Sequence, residues 1–195
     1  MKSYIKGAVL AVVVGMVPAL ALKAGDNPPP QTDLDFRNTV TGDPLDLTVG
    51  PKEGRDTPAV KEFFKTGVDP YIEVKNCLPK AQTLFLEACS GCHGEVGEGK
   101  IGPGLNDNYW TYPKNKTDKG IFETIYGGAR SQMGPHSDLP LDEIMLIISW
   151  VRHLYTGPVE DADWLTDEQK KTFKDYDAEH PVTLKESGEC KIPGQ

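Results

Sequence analysis

The chain has 195 residues, with 21 Lys and Arg against 29 Asp and Glu, a formal charge of −8 and 38% apolar residues. A mean hydropathy of −0.42 excludes a multi-span membrane protein and fits a globular domain of ordinary core content. The acidic balance disfavours nucleic acid, whose phosphates would repel it, and favours a basic protein partner. With 20 Gly and 16 Pro, the composition predicts one compact domain with long, turn-rich extensions.

In chain order, residues 1–24 read as a secretory signal peptide. Lys2 and Lys6 precede an apolar run from Ala8 to Leu22, and Ala19-Leu20-Ala21 is a small-x-small cleavage site, with cutting expected after residue 21 or 24. Gly25, Asp26 and the prolines 28–30 follow too soon for a membrane span, the alternative being an uncleaved anchor. Residues 25–76 form an N-terminal extension. Within it Thr57-Pro58 predicts a helix start, Val60, Phe63 and Phe64 its buried side, and Gly67 its end.

Residues 77–158 carry the chemistry. After Pro79, Ala81, Leu84, Phe85 and Ala88 recur at helical spacing. Cys89-Ser90-Gly91-Cys92-His93 follows, a C-x-x-C-H sequence, the pattern of c-type haem attachment. Two thiols three residues apart can add to the two vinyl groups of a haem, and the next residue sets an imidazole under the iron. A zinc site would want a second ligand pair, and a thiol-redox pair a βαβ context; the sequence offers neither. In Gly102-Pro103-Gly104 the Pro103 carbonyl is the expected acceptor for the His93 Nδ1–H, with a plain turn as the alternative.

Thr117-Asp118 predicts the cap of a short helix through Ile121, Phe122, Ile125 and Tyr126, stopped by Gly127-Gly128. The following loop holds Met133 and, three residues later, His136. Met133 is the favoured sixth ligand to the iron and His136 the alternative, while Met145 falls inside an apolar helix and reads as core. That helix runs from Pro140 to Tyr155, with Ile144, Ile147, Ile148, Val151, Leu154 and Tyr155 as its buried stripe. Asp142 and Glu143 suit its first turn, Arg152 and His153 its last, and Trp150 is expected against Phe85. Arg130 reads equally as a neighbour of a haem propionate or as a surface charge. Trp110 and Tyr112 read as walls of the haem pocket.

Residues 159–195 are an acidic extension. Thr166-Asp167-Glu168-Gln169 is a capping-box pattern, and Trp164 and Phe173 predict packing on the core. Its acids read either as a solvated face or as a docking surface for a cationic partner. With Cys89 and Cys92 committed to the motif, Cys77 and Cys190 have only each other, and an exported chain permits their disulfide; the alternative is two free thiols.

His93 and the Met133 loop resemble class I c-type cytochromes, an all-α fold around one haem c. In more detail, Gly99-Lys100-Ile101-Gly102-Pro103-Gly104-Leu105-Asn106-Asp107, Tyr109-Trp110-Thr111-Tyr112-Pro113, Met133-Gly134-Pro135, Ser149 to Gly157 and Asp163 to Lys170 resemble cytochrome cL of methylotrophic bacteria. The resemblance covers roughly residues 80–175. It implies a periplasmic, non-enzymatic carrier that takes single electrons from the quinone cofactor of methanol dehydrogenase, of the calcium or the lanthanide type, and passes them to another cytochrome c. It also implies a calcium ion near a haem propionate; no EF-hand pattern exists, so no calcium ligands are assigned. The tethered C-terminal extension of that family fits the Cys77/Cys190 pair. Two other readings stand beside it: a general c-type carrier, and a haem enzyme or sensor whose sixth position opens.

Overall fold

A computed structural model describes residues 30, 32–179, 184 and 188–192; the expected signal peptide and His180 lie outside them. Among the described residues there are six α-helices: α1 (Pro58–Thr66), α2 (Leu78–Ala88), α3 (Ser90–His93), α4 (Asp118–Gly127), α5 (Leu141–His153) and α6 (Asp167–Thr172). Short 3-10 turns cover Pro113–Lys116 and Val159–Asp161. Strand pairing among the described residues is limited to one antiparallel bridge, Arg37 with Pro44. The fold is all-α, as expected.

The helix ends follow the local chemistry. Thr57 Oγ1 accepts the Val60 N–H at 3.2 Å, and Gly67, at φ 74°, closes α1 by donating to Phe63 O. Thr117 Oγ1 caps α4 through the Gly120 N–H. Thr166 and Gln169 form the complete capping box of α6. The last core helix starts one residue later and ends two earlier than the expected 140–155.

The core lies between α5 and α2, with α4 and α1 packed on the same helix. Leu78, Ala81 and Phe85 of α2 are buried with Ile144, Ile147, Ile148 and Val151 of α5. The N-terminal extension joins this core through Phe36, Phe63 and Phe64, whose rings meet Phe122 of α4 at centroid distances of 5.2 to 5.8 Å. Asp142 in the first turn of α5 accepts hydrogen bonds from Thr57 and Tyr71, at 2.7 and 2.8 Å. Trp150 shares the buried cluster with Phe85, and its ring contacts are with His153 and Tyr176.

The C-terminal extension lies against the core as its aromatic residues predicted. Trp164 sits edge-on to Tyr155 at 4.8 Å, and Phe173 meets the same ring at 6.2 Å. Further along, Cys190 is disulfide-bonded to Cys77, the residue that caps the N-terminus of α2.

Arg152 departs from its expected role. Instead of facing solvent at the helix end, it is 1% exposed. Its Nε donates to Asp118 Oδ1 at 2.8 Å, and Nη2 donates to the carbonyls of Asn115 and Lys116. The guanidinium lies 3.9 Å from the centroid of Trp164 and 5.2 Å from that of Trp110. One buried charge therefore ties α5, the approach to α4 and the C-terminal extension together. His153, read as a helix-end residue, is paired with Glu73 of the N-terminal extension at 3.1 Å.

Candidate haem site

Helix α2 ends at Ala88, and the C-x-x-C-H residues form their own turn, α3. Its hydrogen bonds run from Cys92 N and His93 N back to Cys89 O. This places Cys89 and Cys92 on one short helical turn and leaves neither in a disulfide. The loop that follows folds back on the turn: Gly102 N and Lys100 N both donate to Cys92 O, and Gly99 N donates to His93 O at 2.7 Å.

His93 is 8% exposed, and its Nδ1 lies 2.8 Å from Pro103 O. The carbonyl fixes Nδ1 as the protonated nitrogen, so the lone pair is on Nε2, the atom a metal would take. The ring lies close against Gly102, where an added Cβ would fall 2.7 Å from Cε1 and 3.0 Å from Nδ1. Glycine is needed there for room rather than for an unusual φ. The expected Pro103 contact is thus present, together with a steric requirement at Gly102 that the motif alone did not display.

The Cys89 thiol does not suit redox exchange. Burial, and then the neighbouring Cys92, push the Cys89 thiol up to about 12. A dithiol catalyst needs a thiol shifted the other way, toward the thiolate. Two unpaired thiols on one turn, a buried imidazole with its lone pair at Nε2 and a glycine cleared for the ring fit covalent haem attachment.

On the other side of the sequence motif, the loop between α4 and α5 is folded on itself. Ala129 N donates to Met133 O at 2.9 Å, and Ser131 at the tip has φ 70°. Met133 packs on the hydrophobic core, whereas Met145 is wholly buried within α5. His136 is half-buried, and its backbone N–H donates to Ile125 O at 3.0 Å. Arg130 is exposed; its backbone N–H donates to the Tyr112 hydroxyl at 3.1 Å. Trp110 is buried, and the structure adds its face to the Arg152 cluster. Among the described residues no group of three or more His, Cys, Asp or Glu side chains is arranged to hold a metal ion.

The cytochrome c family pattern matches residues 79–155, which span α2, the attachment turn and α5. The curated cytochrome c-L of Methylorubrum extorquens is 56% identical over 163 residues, covering 83% of each chain. The chain belongs to the cytochrome cL family. The crystal structure of cytochrome cL from Hyphomicrobium denitrificans superposes with a TM-score of 0.70 at 64% identity, covering 75% of this chain and 88% of that one. Cytochrome cL from the marine methylotroph Methylophaga aminisulfidivorans gives 0.69 at 55% identity, covering 73% and 95%. Membership makes this chain a c-type electron carrier with a covalent haem. No described helix is long and apolar enough to cross a membrane.

Proposed function

We propose that this cytochrome cL-family chain accepts single electrons from a quinone-dependent methanol dehydrogenase in the periplasm and hands them to another cytochrome c. The observation that carries the electron-carrier reading is the buried His93, its Nδ1 held by the Pro103 carbonyl and its ring seated on Gly102. Cys89 and Cys92 would hold the haem through thioether bonds, and His93 and Met133 would ligate its iron. When bound, the haem supplies a one-electron iron couple. The protein's own residues fix and shield it. Pro103 sets the imidazole tautomer and orients the ring. Met133, a thioether on a partly buried loop, favours a higher potential than a second imidazole would.

The acidic segment supports a cationic partner. Glu160, Asp161, Asp163, Asp167, Glu168, Asp175, Asp177 and Glu179 are all exposed. Opposite charges steer such encounters, and salt weakens them.

The test mixes oxidised holoprotein with purified methanol dehydrogenase and methanol, and follows the visible spectrum of the reduced haem. The expected result is full reduction at a rate that falls as ionic strength rises. Absence of methanol-dependent reduction overturns the partner, and a rate indifferent to salt overturns the acidic docking surface. A far-red sulfur-to-iron charge-transfer band in the oxidised protein, lost in Met133→Ala, tests the sixth ligand. A low-spin spectrum without that band assigns His136 instead.

A further inference from the structure

We propose that the Tyr112 hydroxyl latches the distal loop and thereby positions Met133 for the iron; Tyr112 is a positioning residue, not a ligand. The inference rests on the reading of Met133 as the sixth ligand and adds what holds it there.

The loop tip, residues 129–134, is a tight fold with a conformational cost. Ser131 has φ 70°, a left-handed conformation that side chains rarely adopt. The Ala129 N–H to Met133 O bond closes the tip internally, and Gly134 N donates to Gln132 O at 3.2 Å. Gly128, at φ 78°, admits the returning strand of the loop. A Cβ there would meet Pro135 N at 2.8 Å and Met133 O at 3.0 Å. These contacts shape the tip but do not fasten it to the rest of the molecule. Among the described residues, the hydrogen bond that joins 129–134 to another segment runs from Arg130 N to the Tyr112 hydroxyl.

The other end of this latch is firmly set. Tyr112 immediately precedes the 3-10 turn Pro113–Lys116, and its carbonyl accepts the Asn115 N–H at 2.9 Å. Asn115 Oδ1 accepts the Thr124 hydroxyl of α4, and the carbonyls of Asn115 and Lys116 accept from the buried Arg152. The hydroxyl is therefore carried by a segment bolted to α4 and α5, and it reaches an amide three residues before Met133. Losing it leaves the strained tip held by its own short bonds and by the Met133 side chain packed on the core.

The experiment compares holoprotein with Tyr112→Phe, which keeps the ring and removes the acceptor. Tyr126→Phe is the control, because the Tyr126 hydroxyl donates to Asp46 O and makes no contact with the tip. Carbon monoxide binding to the reduced protein reads how often the sixth position opens. Hydrogen exchange of the Arg130 amide reads the latch itself. In Tyr112→Phe both rates rise about fivefold, the factor that one ordinary hydrogen bond is worth, and Tyr126→Phe stays at the wild-type values. Rates within twofold of wild type in Tyr112→Phe, or an equal rise in both variants, overturn the latch. If the wild-type protein shows no sulfur-to-iron band, the Met133 reading fails by itself. The Arg130 exchange rate then still decides whether Tyr112 holds the loop.

Discussion

The His93 side chain and the Arg152 cluster are both buried and polar, yet their surroundings are built in different ways. Around His93 the work is done by backbone: carbonyls of Cys92, His93 and Pro103, and a glycine with no side chain to intrude. Around Arg152 side chains from distant parts of the chain, Asp118, Trp110 and Trp164, join the carbonyls of Asn115 and Lys116. The first site seats the His93 ring through shape, so it depends on a few small residues and tolerates little volume. The second holds extensions together through a desolvated charge, so it depends on every partner being present at once.

The largest effect separates these two modes. Gly102→Val adds a branched side chain where a Cβ alone would lie 2.7 Å from the imidazole. We expect covalent haem per polypeptide to fall at least about tenfold, as overpacking against a fixed ring implies; a haemochrome assay normalised to protein measures it. Full haem content would show that the loop is softer than its backbone bonds suggest.

Next, Arg152→Met strands a buried carboxylate on Asp118. The expected loss is about 3–5 kcal/mol of stability, read from urea unfolding. Adding Asp118→Leu should recover most of it, because the uncompensated charge is then gone. Equal damage in the single and double variants would mean that the carbonyl contacts of Arg152, not its charge, dominate.

Cys190→Ser with Cys77→Ser removes the covalent tether. An expected loss of about 2–5 kcal/mol should appear in unfolding, while the His93 environment and the haem spectrum stay unchanged. A changed spectrum would couple the two regions that the comparison keeps apart.

The smallest effect concerns Asp69. Burial, and then the neighbouring Asp118, push its carboxyl well above the ordinary carboxylate range, and among the described residues its Oδ2 has no hydrogen-bond partner. The folded state thus holds this proton more tightly than the unfolded chain. Its contribution is fully present below the unfolded value of about 4 and is lost as pH rises toward the folded one. Asp69→Asn should therefore be more stable than the parent by about 1 kcal/mol at neutral pH, with the gain vanishing near about pH 4. Urea midpoints at the two pH values measure it, and a gain independent of pH would contradict the sign.

The same contrast explains what the sequence displays. The attachment turn, the Pro103 carbonyl and the helix caps are interactions between residues a few positions apart, so spacing and residue type reveal them. Gly102 is visible as a glycine, but only the folded loop shows that the His93 ring occupies its missing side chain. Arg152 reads locally as a charge suited to a helix C-terminus, because its partners lie on three other segments. A hint was available: it falls four residues after Ile148 and three before Tyr155, on the stripe otherwise assigned to the core. The Tyr112 contact with Arg130 N carries no periodic signature, since a hydroxyl meeting a backbone amide 18 residues away depends on tertiary placement alone. The acidic run was legible as charge, and the fold adds that its described carboxylates stay outside while Trp164 turns inward.

Helix α2 begins at the cysteine that fastens the C-terminal extension and ends beside the one that begins the attachment turn. Tension applied to the two ends of the chain would pass straight across the sulfur bridge between Cys77 and Cys190, bypassing the polypeptide in between. The cofactor-bearing portion is thereby shielded from mechanical load, and in a single-molecule stretching experiment its unravelling length should appear only after a reductant is added.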